Sequence, residues 1–339
     1  MMTQALERIE RRLSASMPRF EWELRKPLIE KILGLKMEKN VVILAHNYQV
    51  PEIFYGIADV TGDSLALARE SVHRQEADAI LFCGVHFMAE TAKLFNPNKP
   101  VLIADLEAGC SLAESITGAD VRALKAQHPG APVVTYVNSS AEVKAESDIC
   151  CTSGNALAVV ESLNADKVIF LPDGFLASYV ARQTEVEIIS WAGTCIVHEE
   201  FTADQVAAYR AQYPGLKVLA HPECHPDVQS AADLVGSTAQ MSNFVAEQKP
   251  GAQVALITEC SMSDNLAVAH PHVELVRPCS ICPHMKKITL EKIVDCLETF
   301  QPQIEIPEEI AYRAKRAVER MLEVSAPRRV VALPVAQPA

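Results

Sequence analysis

VLIADLEAGCSLAE, from Val101 to Glu114, is a short apolar run and an acidic turn that lead into Cys110. The same order recurs as VEIISWAGTC, Val186 to Cys195, and as VELVRPCSIC, Val273 to Cys282. The three cysteines stand 85 and 87 residues apart. Working outward, each run closes a set of three. The opening runs are VVILA (Val41 to Ala45), VVTYV (Val133 to Val137) and KVLA (Lys217 to Ala220). The middle runs, AILFC from Ala79, KVIFL from Lys167 and QVALI from Gln253, are 88 and 86 residues apart. Short β-branched runs, each followed by a polar turn and a helix-like stretch, read as strand–helix units. Repetition at constant period predicts an α/β fold of three similar domains with short parallel sheets. Ligands bind at the carboxyl ends of such strands, and three equivalent loops can meet on one pseudo-threefold axis.

The expected organisation is an N-terminal helical segment over 1–40, then αβα domains over 41–109, 110–194 and 195–300. A helical stretch over 307–326 is a candidate to complete the first domain, and 327–339 reads as a loose tail. The chain has 339 residues, 49% hydrophobic and 22% charged, which argues against disorder or coiled coil as a whole. A net charge of −12 repels a phosphate backbone, so nucleic acid is not an expected partner. No apolar stretch is long enough for a membrane span, and the N-terminus mixes charges through every turn, so a cytoplasmic protein with no membrane partner is expected. There is no GxGxxG or P-loop to indicate a nucleotide cofactor.

A second triplet supports the first. The turns after the opening strands read AHNYQ with His46 and Tyr48, YVNSS with Tyr136 and Asn138, and AHPEC with His221 and Glu223. Each is followed by a serine turn before a helical stretch: Ser64 in GDSLALA, Ser153 in TSGNALA, and Ser237 with Thr238 in GSTAQM. A hydroxyl there is first of all a helix cap, yet the same position offers free N–H groups to an anion. Three in register suit a small polyanionic substrate.

Thiolates select zinc or iron–sulfur clusters over hard cations. Paired zinc knuckles are absent, and the only C-x-x-C is Cys279 to Cys282. Three single cysteines from three domains instead fit a central [4Fe–4S] cluster with one iron lacking a protein ligand, the mark of a catalytic metal. A zinc hydrolase and a non-catalytic cluster sensor are the competing readings.

The ordered motifs AHNYQ, GDSLALA, CGVHFMAETAKL, AGCSLAE, TYVNSSAEVKA, TSGNA, WAGTCIVHE, HPEC, GSTAQM and CPHMKKITLEKI resemble the quinolinate synthase family, the A protein of bacterial de novo NAD synthesis. The resemblance runs from about Val41 to Leu297. It implies three pseudo-symmetric αβα domains around a [4Fe–4S] cluster on Cys110, Cys195 and Cys282, the cysteines the repeat selects. It implies a transferase that condenses iminoaspartate with dihydroxyacetone phosphate, losing phosphate and two waters, and a functional link to L-aspartate oxidase. It places substrate at His46, Ser64, Tyr136, Asn138, Ser153, His221, Glu223, Ser237 and Thr238, and catalysis at Tyr48, His221, Glu223 and His198.

Two departures from the family pattern matter. Asn47, where many relatives carry tyrosine, is expected to point away from its neighbours on an extended strand and to matter little. Relatives with C-x-x-C-x-x-C near the end have one cysteine more than Cys279 and Cys282, so Cys279 is expected as a free thiol or spare ligand. Cys83, Cys150, Cys151, Cys224, Cys260 and Cys296 read as buried or incidental.

Overall fold

The computed structural model describes residues 2–14, 16–73 and 76–325, and the expected tail 327–339 lies outside the described residues. Three four-stranded parallel sheets follow one another along the chain. The first holds β1 (Val41–His46), β2 (Val60–Gly62), β3 (Ala79–Cys83) and β4 (Val101–Ile103). The second holds β5 (Val133–Tyr136), β6 (Ile149–Cys151), β7 (Lys167–Leu171) and β8 (Glu187–Ser190). The third holds β9 (Lys217–Ala220), β10 (Leu234–Val235), β11 (Gln253–Ile257) and β12 (Glu274–Val276). The spatial order is the same in each, with strands two, one, three and four of the unit side by side. The fold is α/β with three αβα units.

β1 and β3 are buried at every position. Strands covered by helices on both faces lose the alternation of a half-exposed strand and read as continuous apolar runs, which is why the central strands β1, β3, β5, β7, β9 and β11 stand out in the sequence. The edge strands β2, β6 and β10 were not expected. They are two or three residues long, and each lies on the side of the opening strand away from the rest of the sheet.

An aspartate repeated in all three units sets those edges. Asp59, Asp148 and Asp233 each stand one residue before the edge strand. Their carboxylates accept from the N–H of Ile43, Val133 and Val218 at 2.8, 2.8 and 2.9 Å, and their own N–H groups donate back to the same residues' carbonyls. Each pins its edge strand to the opening strand, so a run of two or three residues stays in register.

The first two sheets share one large core with the terminal helices, the second sheet packs a further small core around Val133 and Ile169, and the third unit packs two of its own. The helix Arg19–Glu38 packs on Leu290–Thr299. The helix Glu308–Val324 buries Ala314, Ala317, Val318 and Met321 and straddles the first two units, against Ala141–Ala145 and β6 on one side and His86–Phe95 on the other. No helix among the described residues is long and apolar enough to cross a membrane.

Candidate active site

The strand ends of all three units open on one cavity. His46, Tyr48, Ser64, Tyr136, Asn138, Ser153, His198, His221, Glu223 and Thr238 line it, and so do Cys110, Cys195 and Cys282. Of the expected site residues only Ser237 is set back from the wall. The unit order places the reversal of strand order at β1/β3, β5/β7 and β9/β11, with every strand parallel, and ligand crevices form outside the carboxyl ends at such points.

His46 and His221 occupy equivalent turns and are held alike. The backbone N–H two residues on, from Tyr48 or Glu223, donates to Nδ1 at 3.2 and 3.3 Å. The proton is therefore on Nε2 in both rings. Burial, the largest influence, pushes both imidazoles down to about 3, so they are neutral donors at physiological pH.

Glu223 is the centre of a network that crosses all three units. Its Oε1 accepts from the Tyr136 hydroxyl at 2.5 Å, and its Oε2 lies 2.8 Å from His198 Nδ1. Burial opposes the charge, but His221, His198 and the Tyr136 hydroxyl outweigh it and hold the carboxyl well below the usual range. Glu223 is thus a buried carboxylate, an available base. Burial and then the Glu223 charge push the Tyr48 and Tyr136 phenols up, keeping both protonated as donors. Tyr48 reaches Thr258 Oγ1 at 2.6 Å, and the same hydroxyl meets His198 Nε2 at 2.9 Å, joining Tyr48 to Glu223 through one threonine and one imidazole. Asn138 Oδ1 is buried with no partner, an acceptor left to a ligand in the cavity.

The cysteine loops are fastened to one another. Ser111, beside Cys110, donates to the Thr194 carbonyl at 3.0 Å and accepts from the Ile196 N–H at 3.2 Å, on either side of Cys195. Ser280 donates to Glu200 at 2.6 Å, tying the Cys282 loop to the short helix His198–Glu200. Fully buried Glu259 receives the Cys282 N–H at 3.4 Å and pairs with Lys286 at 2.8 Å. Lys286 also donates to the Tyr48 carbonyl at 2.9 Å, so the third cysteine loop and the first unit's tyrosine share one anchor.

The serine turns divide by role. Ser237 caps the helix Thr238–Ala246 in a capping box with Gln240. Ser64 and Ser153 do not cap: Asp63 receives the Ala66 N–H at 2.8 Å, and Asn155 closes the turn by accepting from the Thr152 N–H at 2.6 Å. Their hydroxyls are left on the cavity wall. Ser237→Ala is therefore expected to lower stability by ~1 kcal/mol. Ser64→Ala and Ser153→Ala should keep the wild-type melting temperature and raise KM, by roughly tenfold for one charge-assisted hydrogen bond. Melting curves beside steady-state kinetics on the three variants check this division.

Two expectations about polar residues need correction. Asn47 is not idle: its Nδ2 donates to Thr238 Oγ1 at 3.0 Å, because the turn after β1 twists its side chain toward the third unit. Cys279 is not a free thiol, and Cys260 is not incidental, since the two are joined in a disulfide with Cα atoms 5.0 Å apart. The Cys260 N–H donates to the Ser280 carbonyl at 3.0 Å, which holds the Cys279–Ser280 segment against the start of the helix Cys260–Ala269. Cys83, Cys150, Cys151, Cys224 and Cys296 are buried as expected. Thr258, Glu259 and Lys286 were missed. The one signal for Glu259 is positional, since Asp173 caps the helix Gly174–Ala181 at the same place in the second unit.

The donor set suits a thiolate-bound metal group. Three cysteines without disulfide partners, one from each unit, reach one cavity, and burial pushes the Cys110 thiol up to about 12 and the other two upward as well. Such thiols give up their protons to a metal cation and to little else. Cys195, His198 and Glu223 also bring their donor atoms within 4.8 Å of one another.

Comparison with known proteins gives the same picture. The model of the family NadA, quinolinate synthetase A protein, matches residues 30–323. Quinolinate synthase 2 of Mesorhizobium japonicum is 59% identical over 313 residues, covering 92% of this chain and 96% of the relative. Quinolinate synthase of Agrobacterium fabrum is 58% identical, covering 92% and 90%. That of Xylella fastidiosa strain Temecula1 is 60% identical over 296 residues, covering 87% of each. With its strands, cysteines and polar turns all inside the matched span, this chain belongs to the quinolinate synthetase A protein family.

Proposed function

We propose that the protein is a quinolinate synthase, a cytoplasmic transferase of NAD biosynthesis that condenses iminoaspartate with dihydroxyacetone phosphate, releasing phosphate and two waters. The observation that carries this reading is the meeting of Cys110, Cys195 and Cys282, one per unit, on the cavity that also holds Glu223. Those three thiolates would hold a [4Fe–4S] cluster. When bound, such a cluster supplies a Lewis acid at the iron without a protein ligand. L-Aspartate oxidase is the partner reaction that would supply the imine.

The chain's own groups can meet the proton demands of the reaction. Enolisation needs a base, and the Glu223 carboxylate takes a proton from substrate carbon or nitrogen within reach. Tyr48 and Tyr136 donate to oxygens that gain charge. The Nε2–H groups of His46 and His221 bind substrate carboxylates as neutral donors. Ser64, Ser153 and Thr238 offer hydroxyls, and the Asn138 carbonyl receives an imine or amine N–H.

The test is protein purified without oxygen. Iron and sulfide at the stoichiometry of a [4Fe–4S] cluster are expected, with quinolinate formed from the two substrates. Exposure to air should abolish activity while the melting temperature holds, because apolar burial in three cores does not depend on the metal. Zinc without sulfide would overturn the reading in favour of a single ion on Cys195, His198 and Glu223. A brown protein that makes no quinolinate would favour a sensor.

A further inference from the structure

The cavity is built for anions yet is lined by no lysine or arginine among the described residues. Its own side chains bring negative charge, from Glu223 and Asp63, and three cysteine thiolates would offset much of the positive charge of a metal group bound there. A ligand with two carboxylates or a phosphate needs a positive field from somewhere. Lys286 lies close by, but its ammonium is paired with Glu259 at 2.8 Å.

Lys144 is different. It is the only lysine or arginine among the described residues that is fully buried. It sits on the helix Ala141–Ala145, immediately behind the turn that carries Asn138. Its Nζ donates to the Ser139 carbonyl at 2.6 Å and lies 5.3 Å from the centre of the Phe87 ring. Phe87 and Asn138 both face the cavity. Among the described residues no carboxylate approaches Lys144 within ion-pair distance. Glu90, whose charge it feels, is held elsewhere, by the Ala141 N–H at 2.9 Å and beside His86 at 3.8 Å. Burying a long cation with one carbonyl and one ring face for company is costly, and an apolar side chain would fill the space more cheaply. The same low dielectric that makes the burial costly lets the charge act across the wall with little screening.

We infer that Lys144 is a positioning residue that holds anionic ligands in the cavity through its charge, from behind the Asn138–Ser139 wall and without touching them. The inference rests on the reading of the cavity as a site for anionic substrates. A charge acting at this range should count once per negative charge on the ligand, so the loss on removing it should grow with ligand charge.

The experiment is calorimetric titration of the anaerobic holoenzyme with quinolinate, a dianion, and with pyridine-2-carboxylate, a monoanion. Two variants are compared with wild type. Lys144→Met removes charge and hydrogen bond together, and Lys144→Gln removes the charge but can still donate to the Ser139 carbonyl. In both, quinolinate should bind about 100-fold more weakly and the monoanion about tenfold, the size of a charge interaction at intermediate dielectric. Equal losses for the two ligands, no loss, or wild-type binding by Lys144→Gln would overturn the inference. Should Lys144→Met fail to fold, Lys144→Gln decides alone. The two readings fail separately. A wild type that makes no quinolinate sinks the proposed activity, whereas charge-blind binding in an active enzyme sinks only the role of Lys144.

Discussion

Cys282→Ser protein prepared without oxygen is expected to retain ~10% or less of the wild-type iron, with quinolinate synthesis lost and the melting temperature nearly unchanged. A serine hydroxyl is a hard, weakly acidic ligand, and burial raises the cost of ionising it further than it does for the thiol it replaces. The loss should be as great for Cys110→Ser and Cys195→Ser, since each unit contributes one ligand and no other cysteine reaches the cavity. Cys279→Ser and Cys260→Ser make the contrast. They break a disulfide behind the loop and leave the three cavity thiols in place, so iron should remain. Iron assay and absorbance on all five proteins decide the point. Iron kept by Cys282→Ser and lost by Cys279→Ser would reverse the assignment.

Glu223→Gln should lower kcat by roughly 10²-fold while iron content and KM stay near those of wild type. The amide keeps the shape of the side chain and an oxygen for the Tyr136 hydroxyl to donate to, but it takes no proton at working pH. It also turns an N–H₂ toward His198, whose Nδ1 now faces the carboxylate at 2.8 Å, so the imidazole must change tautomer. Tyr136→Phe should be milder: it removes one of the groups that hold the carboxyl low, so the acid limb of the kcat profile should move to higher pH. A Glu223→Gln enzyme within threefold of wild-type kcat would show that the base lies elsewhere.

The central strands were legible because burial on both faces makes each an unbroken apolar run, and the cysteines because the run before each one repeats. The edge strands were not, yet Asp59, Asp148 and Asp233 marked them at near-equal spacing for a reader who knew what a carboxylate does at the head of a strand. Asn47, Thr258 and Lys286 act across unit boundaries, on partners about two hundred residues away in the chain. No local pattern carries such a contact. Ser64, Ser153 and Ser237 look alike in sequence and differ in the structure, because the cap falls to whichever neighbour reaches the first N–H groups: Asp63 ahead of Ser64, and Ser237 itself in the third unit.

The wall of the cavity runs from His46 to Met285, and its three thiols enter one unit at a time. On the ribosome, Cys110 emerges 172 residues ahead of Cys282, an interval of roughly ten to thirty seconds at ordinary elongation rates. Through that interval a growing chain presents only one or two of the three cavity thiols. A complete set of three thiols therefore exists only once the third unit has been made.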